Sequence, residues 1–136
     1  MTSRFMEKRN DNYKGFTLVE IMVVVLVIAI LTGFLIPNLL RAKMEANDAS
    51  ARATLRSIGT ALETYMGINH AYPPDTTSLL GASPPYLNTD YFAGTHNGFT
   101  FSASLSGYAY TITASPLTVK QSGSTTFTLV TGGVLQ

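Results

Sequence analysis

From Phe16 to Ile36 only Thr17, Glu20, Thr32 and Gly33 interrupt an apolar run. Wound as a helix at about 1.5 Å per residue, this stretch covers roughly the ~30 Å hydrocarbon core of a bilayer. The chain is short, 136 residues, with 46% hydrophobic and only 12% charged residues. That charged share is about half the usual value, so the apolar excess is concentrated in one segment and the remainder is a single small domain. The run predicts a membrane helix.

Its flanks predict the orientation. Arg4, Lys8, Arg9 and Lys14 precede the run against Glu7 and Asp11, so the positive-inside rule keeps the N-terminus in the cytoplasm and exports the C-terminal part. Arg41 and Lys43 follow the run and weaken that bias a little. A cleaved secretory signal would need a small-residue site directly after the apolar region. The first such site, Ala49 to Ala51, lies more than three helical turns downstream. An uncleaved signal anchor fits the run but gives no reason for Glu20. A carboxylate at mid-helix costs about 2.5 to 3.5 kcal/mol on insertion scales, and less near the interface.

The stretch "KGFTLVE", followed by the apolar run, Gly33 and Pro37, resembles the N-terminal signature of the type IV filament family, the type IV pilins and the pseudopilins of type II secretion. The likeness runs from Lys14 to about Tyr65. It implies that a membrane aspartyl peptidase, the prepilin peptidase, cuts on the cytoplasmic side between Gly15 and Phe16, and that the new Phe16 amine is N-methylated. It also implies that Glu20 pairs with the N-terminal amine of a neighbouring subunit. Two unit charges about 4 Å apart are worth roughly 4 kcal/mol at an effective dielectric of 20, comparable to the insertion cost. The pair would therefore favour one axial register of packing. Residues 1–15 are then a cytoplasmic leader, and Gly15, lacking Cβ, suits a scissile backbone drawn into a peptidase.

Pro37 removes a backbone donor and clashes with the carbonyl four residues back, which belongs to Gly33. Both weaknesses fall on one turn. One consequence is a mild kink tolerated in a membrane helix; the family resemblance implies instead a segment that unwinds and extends on packing. Beyond it, over residues 37–67, Met44, Ala51, Leu55, Ile58, Leu62 and Tyr65 recur by threes and fours, while Asp48, Arg52, Arg56 and Glu63 are assigned to other faces. Leu55, Ile58, Leu62 and Tyr65 are the expected helix–sheet contacts. Each contributes roughly 1.5 to 3 kcal/mol on burial. Asp48 and Arg52 are expected to form an i,i+4 ion pair worth tenths of a kcal/mol. The helix should end at Gly67 or soon after, about 52 residues and ~78 Å from Phe16.

Residues 68–98 are rich in proline and glycine and read as a surface connection, tacked down by its leucines and tyrosines. Residues 99–136 read as an antiparallel meander. "FTFSASL" and "YAYTITA" alternate, with Phe99, Phe101, Ala103 and Leu105 on one face and Tyr108, Tyr110, Ile112 and Ala114 on one face of the next strand. Ser106-Gly107 between them suits a type I′ hairpin. "TTFTLV" and "VLQ" supply a third and a fourth strand. The fold class is α+β: a long N-terminal helical spine, transmembrane over residues 16–36, packed on a three- to four-stranded antiparallel sheet.

Catalysis finds no support. His70 and His96 are the only histidines and lack metal-ligand spacing, and no phosphate-binding glycine loop occurs. The chain has no cysteine, so the disulfide common in pilins is impossible and strand pairing must close the C-terminal region. No Asp or Glu follows Asp90, which speaks against the calcium loop of major pseudopilins. No cofactor or metal is expected. The net charge of +1 and the lack of a basic patch beyond the first 14 residues give no support for a nucleic-acid partner.

Three functions remain open. The first is a filament subunit polymerised from the bacterial inner membrane by an assembly platform and its ATPase, the chain packing with copies of itself into an extracellular pilus. The second is a pseudopilin, a short piston in type II secretion. The third is a membrane-anchored binding domain, which would need neither an amine at Phe16 nor Glu20.

Overall fold

The computed structural model describes residues 15–136. The leader expected over residues 1–15 lies outside them except for Gly15. Two compact units divide the chain, one ending at Ile36 and the other running from Pro37 to Gln136.

In the first unit, Leu18 begins a helix, α1 (Leu18–Asn69), that stays helical through Pro37 and continues into the second unit. Apolar side chains from Phe16 to Ile36 are solvent-exposed along it. The helix is long and apolar enough to cross a membrane. Thr32 Oγ1 donates to the Ile28 carbonyl at 2.7 Å, so its hydroxyl is satisfied inside the apolar surface.

In the second unit, α1 packs on a four-stranded antiparallel sheet of order β1 (Phe99–Ser106), β2 (Ala109–Pro116), β3 (Phe127–Val130) and β4 (Val134–Leu135). Leu55, Ile58 and Leu62 are fully buried in one core with Phe99, Ile112 and Leu129. Spacing of three and four residues puts them on one stripe of the helix. The approach is close at Gly59, where a Cβ would sit 2.8 Å from Leu129 Cδ2. Tyr65 is half-buried, its ring 5.2 Å from that of Tyr86 in the connection. The helix stops when His70 turns to φ 57, its amide still bonded to the Met66 carbonyl at 2.8 Å.

The connection carries one short helix, α2 (Thr77–Leu80), whose first turn is closed by Asp75. Tyr72, Leu79 and Leu87 fix the connection to the core. His96 is half-buried: its Nε2 meets the Asp90 carbonyl and its ring stands edge-on to Tyr91.

The hairpin differs from the sequence expectation. Ser106 pairs with Ala109, so Gly107-Tyr108 forms the turn, and neither has a positive φ, which excludes type I′. The Ser106 hydroxyl closes it instead, donating to the Ala109 carbonyl and accepting from the Ala109 amide. Tyr108 therefore leaves the inner face and is 93% exposed. Phe99 and Phe101, with Tyr110, Ile112 and Ala114 opposite, line the buried face.

Candidate assembly site

Gly15, Phe16 and Thr17 precede the first helical residue. Thr17 acts as the N-cap. Its amide and its hydroxyl both donate to Glu20 Oε2 at 2.8 Å, and the Glu20 amide donates to Thr17 Oγ1 at 3.2 Å. This reciprocal pair is a capping box. It satisfies two orphan backbone donors at the start of α1, and places a carboxylate where the helix dipole favours one. Phe16, one residue earlier, is 82% exposed. Both hydrogen bonds from Thr17 fall on Oε2, so among the described residues Oε1 has no partner and can accept from a cation.

Thr17 was not singled out as a functional residue from the sequence. Its signal was present all the same: Thr-Leu-Val-Glu opening an apolar helix is the capping-box pattern. Gly33 has open space around it, and Pro37 lies inside the helix. The carbonyl of Gly33 receives no amide hydrogen from position 37, because proline has none.

The C-terminal half of α1 holds two acidic residues that sequence reasoning had set off the packed stripe. Asp48 is 7% exposed and lies three residues before Ala51, on the stripe itself. Its carboxylate accepts the Ser124 amide at 3.0 Å and the Ser124 hydroxyl. It does not join Arg52 in the expected ion pair; Arg52 stacks its guanidinium 4.5 Å over the Phe127 ring. Glu63, half-buried, accepts from the Tyr110 hydroxyl at 3.0 Å, the Gly132 amide at 3.1 Å and the Tyr72 hydroxyl at 3.2 Å. Tyr110 in turn accepts the Gly133 amide at 3.1 Å. Burial and the Glu63 carboxylate beside it push the Tyr110 phenol up to about 12; burial, then the same carboxylate, raises Tyr72.

Residues 10–36 match the family described as the prokaryotic N-terminal methylation motif. The chain is 33% identical over 109 residues to the type IV wide pilus major component PilA4 of Thermus thermophilus, covering 77% of this chain and 83% of that one. It belongs to the type IV pilin and pseudopilin family. Other family members match a smaller share. The type II secretion system core protein G of Escherichia coli is 36% identical over 72 residues, 53% of this chain and 50% of that protein. The type IV major pilin protein PilA of Myxococcus xanthus is 31% identical over 75 residues, 55% of this chain and 34% of that one. The chain thus spans about half the length of the secretion relative. These pilin and pseudopilin relatives are structural subunits, and the fold described above is that of the family: a long apolar N-terminal helix on an antiparallel sheet.

Proposed function

We propose that this chain is the structural subunit of a type IV pilus-like filament. The prepilin peptidase cleaves between Gly15 and Phe16, Phe16 is N-methylated, and an inner-membrane platform with its ATPase packs the chain with copies of itself. Glu20 then pairs with the Phe16 ammonium of a neighbour. The capping box supports this role because it holds the carboxylate at the end of the helix with one oxygen to spare. At the Gly33–Pro37 turn the missing hydrogen bond lets α1 lengthen as the exposed apolar surfaces pack.

The observation that carries the pilus reading is the extent of the match to the wide pilus component. Its 109 residues exceed what the N-terminal helix can supply, so the likeness reaches past α1 into the sheet-bearing part of the second unit, the head. A secretion pseudopilin is the second reading, favoured by the identity to core protein G. The test is intact mass and electron microscopy of sheared surface material from wild type and Glu20→Ala. Chains that begin at methylated Phe16 in long fibres, lost in the mutant, are the expected result. Correct processing without long fibres would support the pseudopilin, and an unprocessed chain without fibres would leave a membrane-anchored domain.

A further inference from the structure

Charge is unevenly placed in the head. Lys120 is the only lysine or arginine in residues 57–136. The fold brings its loop against residues 47 and 48 of α1. β2 descends from Tyr110, bonded at Glu63, to Pro116, and the loop after it is clamped to α1 sixteen and fifteen residues earlier than Glu63: Asn47 Nδ2 donates to the Ser122 carbonyl at 2.8 Å, and Asp48 holds Ser124. Asn47 lies about 10 Å along the helix from Leu40. Leu40 and Leu39, 55% and 69% exposed, are the last large apolar residues before Arg41 and Lys43.

The loop is a built turn, not a loose tether. The Ser122 and Gln121 amides both reach the Thr118 carbonyl, the Ser122 hydroxyl accepts the Thr118 amide, and the Lys120 amide meets the Gly123 carbonyl at 2.8 Å. It holds Lys120 at φ 65 and leaves Leu117 and Val119 67% and 59% exposed. Lys43 lines a cleft of about 420 Å³ with Thr118, Gln121 and Ser122 of that loop. The only exposed carboxylate on this stretch of α1 is Glu45, since Asp48 is turned inward to Ser124.

Exposed apolar and basic side chains on α1 just past the apolar run, and on the loop clamped to it, match a headgroup layer about 5 to 8 Å thick on each side of the hydrocarbon. We propose that the base of the head, through Arg41, Lys43 and Lys120 with Leu117 and Val119, docks on the anionic phospholipid headgroups of the bilayer that holds α1. This rests on the reading of the helix as membrane-spanning. Each cation near an anionic surface is worth about a fivefold change in the docking equilibrium.

The native chain has no cysteine, so single labelling sites can be introduced in the full-length protein. A fluorophore at Val119→Cys is read against headgroup-nitroxide lipid in vesicles of phosphatidylcholine, with and without about one third phosphatidylglycerol. Ile28→Cys, read against acyl-chain nitroxide, reports insertion, and Tyr108→Cys reports the far end of the head. Strong quenching at position 119 only in anionic vesicles is expected, with none at 108. The docking equilibrium should fall about fivefold in Lys43→Gln and again in Lys120→Asn, asparagine being tolerant of positive φ. Quenching at position 28 without quenching at 119, or equal quenching at 119 in neutral and anionic vesicles, would overturn the docking. Shielding of 119 that rises with protein density whatever the lipid charge would overturn it in favour of a second copy of the chain. No quenching at position 28 would overturn the membrane-spanning reading, and the docking with it.

Discussion

Removing the carboxylate of Glu63 should unfasten the head where no disulfide can hold it. Glu63 ties the end of α1 to the connection through Tyr72, to β2 through Tyr110 and to the β3–β4 turn through Gly132. A hydrogen bond to a charged group is worth about 1.5 to 3 kcal/mol, and a buried donor left without a partner costs about 1 to 3. The three bonds share one half-buried carboxylate, so they do not add. For Glu63→Ala we expect a loss of about 3 kcal/mol, dominated by the stranded hydroxyl of Tyr110, a residue only 2% exposed. Tyr110→Phe removes the same bond from the other side and leaves the Gly133 amide without its acceptor, for about 2 kcal/mol. The double mutant should lose about 3.5 kcal/mol, a coupling near 1.5. For a head of this size the Glu63→Ala loss lowers Tm by about 15 °C. Thermal and urea denaturation of the full chain in detergent, read by the circular dichroism of the sheet, gives all three values. Additive effects, or a Glu63→Ala loss under about 0.5 kcal/mol, would refute the reasoning, because either means that solvent already satisfies the carboxylate and the phenol.

Asp48→Ala should cost about 2 kcal/mol in the same assay, while Asp48→Asn recovers more than half, since an amide can accept from the Ser124 amide and donate to its hydroxyl. Gly123→Ala should lose about 2 to 3 kcal/mol, because the added Cβ would run into the Phe99 ring and lie 2.9 Å from Asp48 Oδ1; a neutral result would mean that the clamp at Asn47 and Asp48 yields easily. In alkali the head should weaken. Tyr110 titrates near 10 when unfolded and about 12 when folded, so the folded state holds the proton more tightly; this stability is fully present below pH 10 and is lost as pH rises through about 12. Tyr72 is shifted the same way, and Tyr110→Phe should flatten the decline in a pH series of denaturant midpoints.

The elements whose physics is local could be read without the structure. The membrane run, the stripe Ala51, Leu55, Ile58, Leu62, and the alternation in β1 and β2 are periodic patterns in contiguous residues, and the N-terminal motif is a short word. The capping box at Thr17 and Glu20 is equally local, since its two members lie three residues apart. What depended on the fold was the partner of each polar side chain. Asp48 occupies a stripe position by spacing, but the Ser124 that makes its burial tolerable lies 76 residues away. Glu63 gathers donors from Tyr72 to Gly132, up to 69 residues distant, which no window of sequence connects. Likewise Tyr108 alternates in phase with Tyr110, yet a serine hydroxyl sets the turn and turns it outward. Periodicity says which face a residue occupies; only the folded chain says whether a charge on that face meets a donor, and burial without one costs more than the helix gains by hiding it.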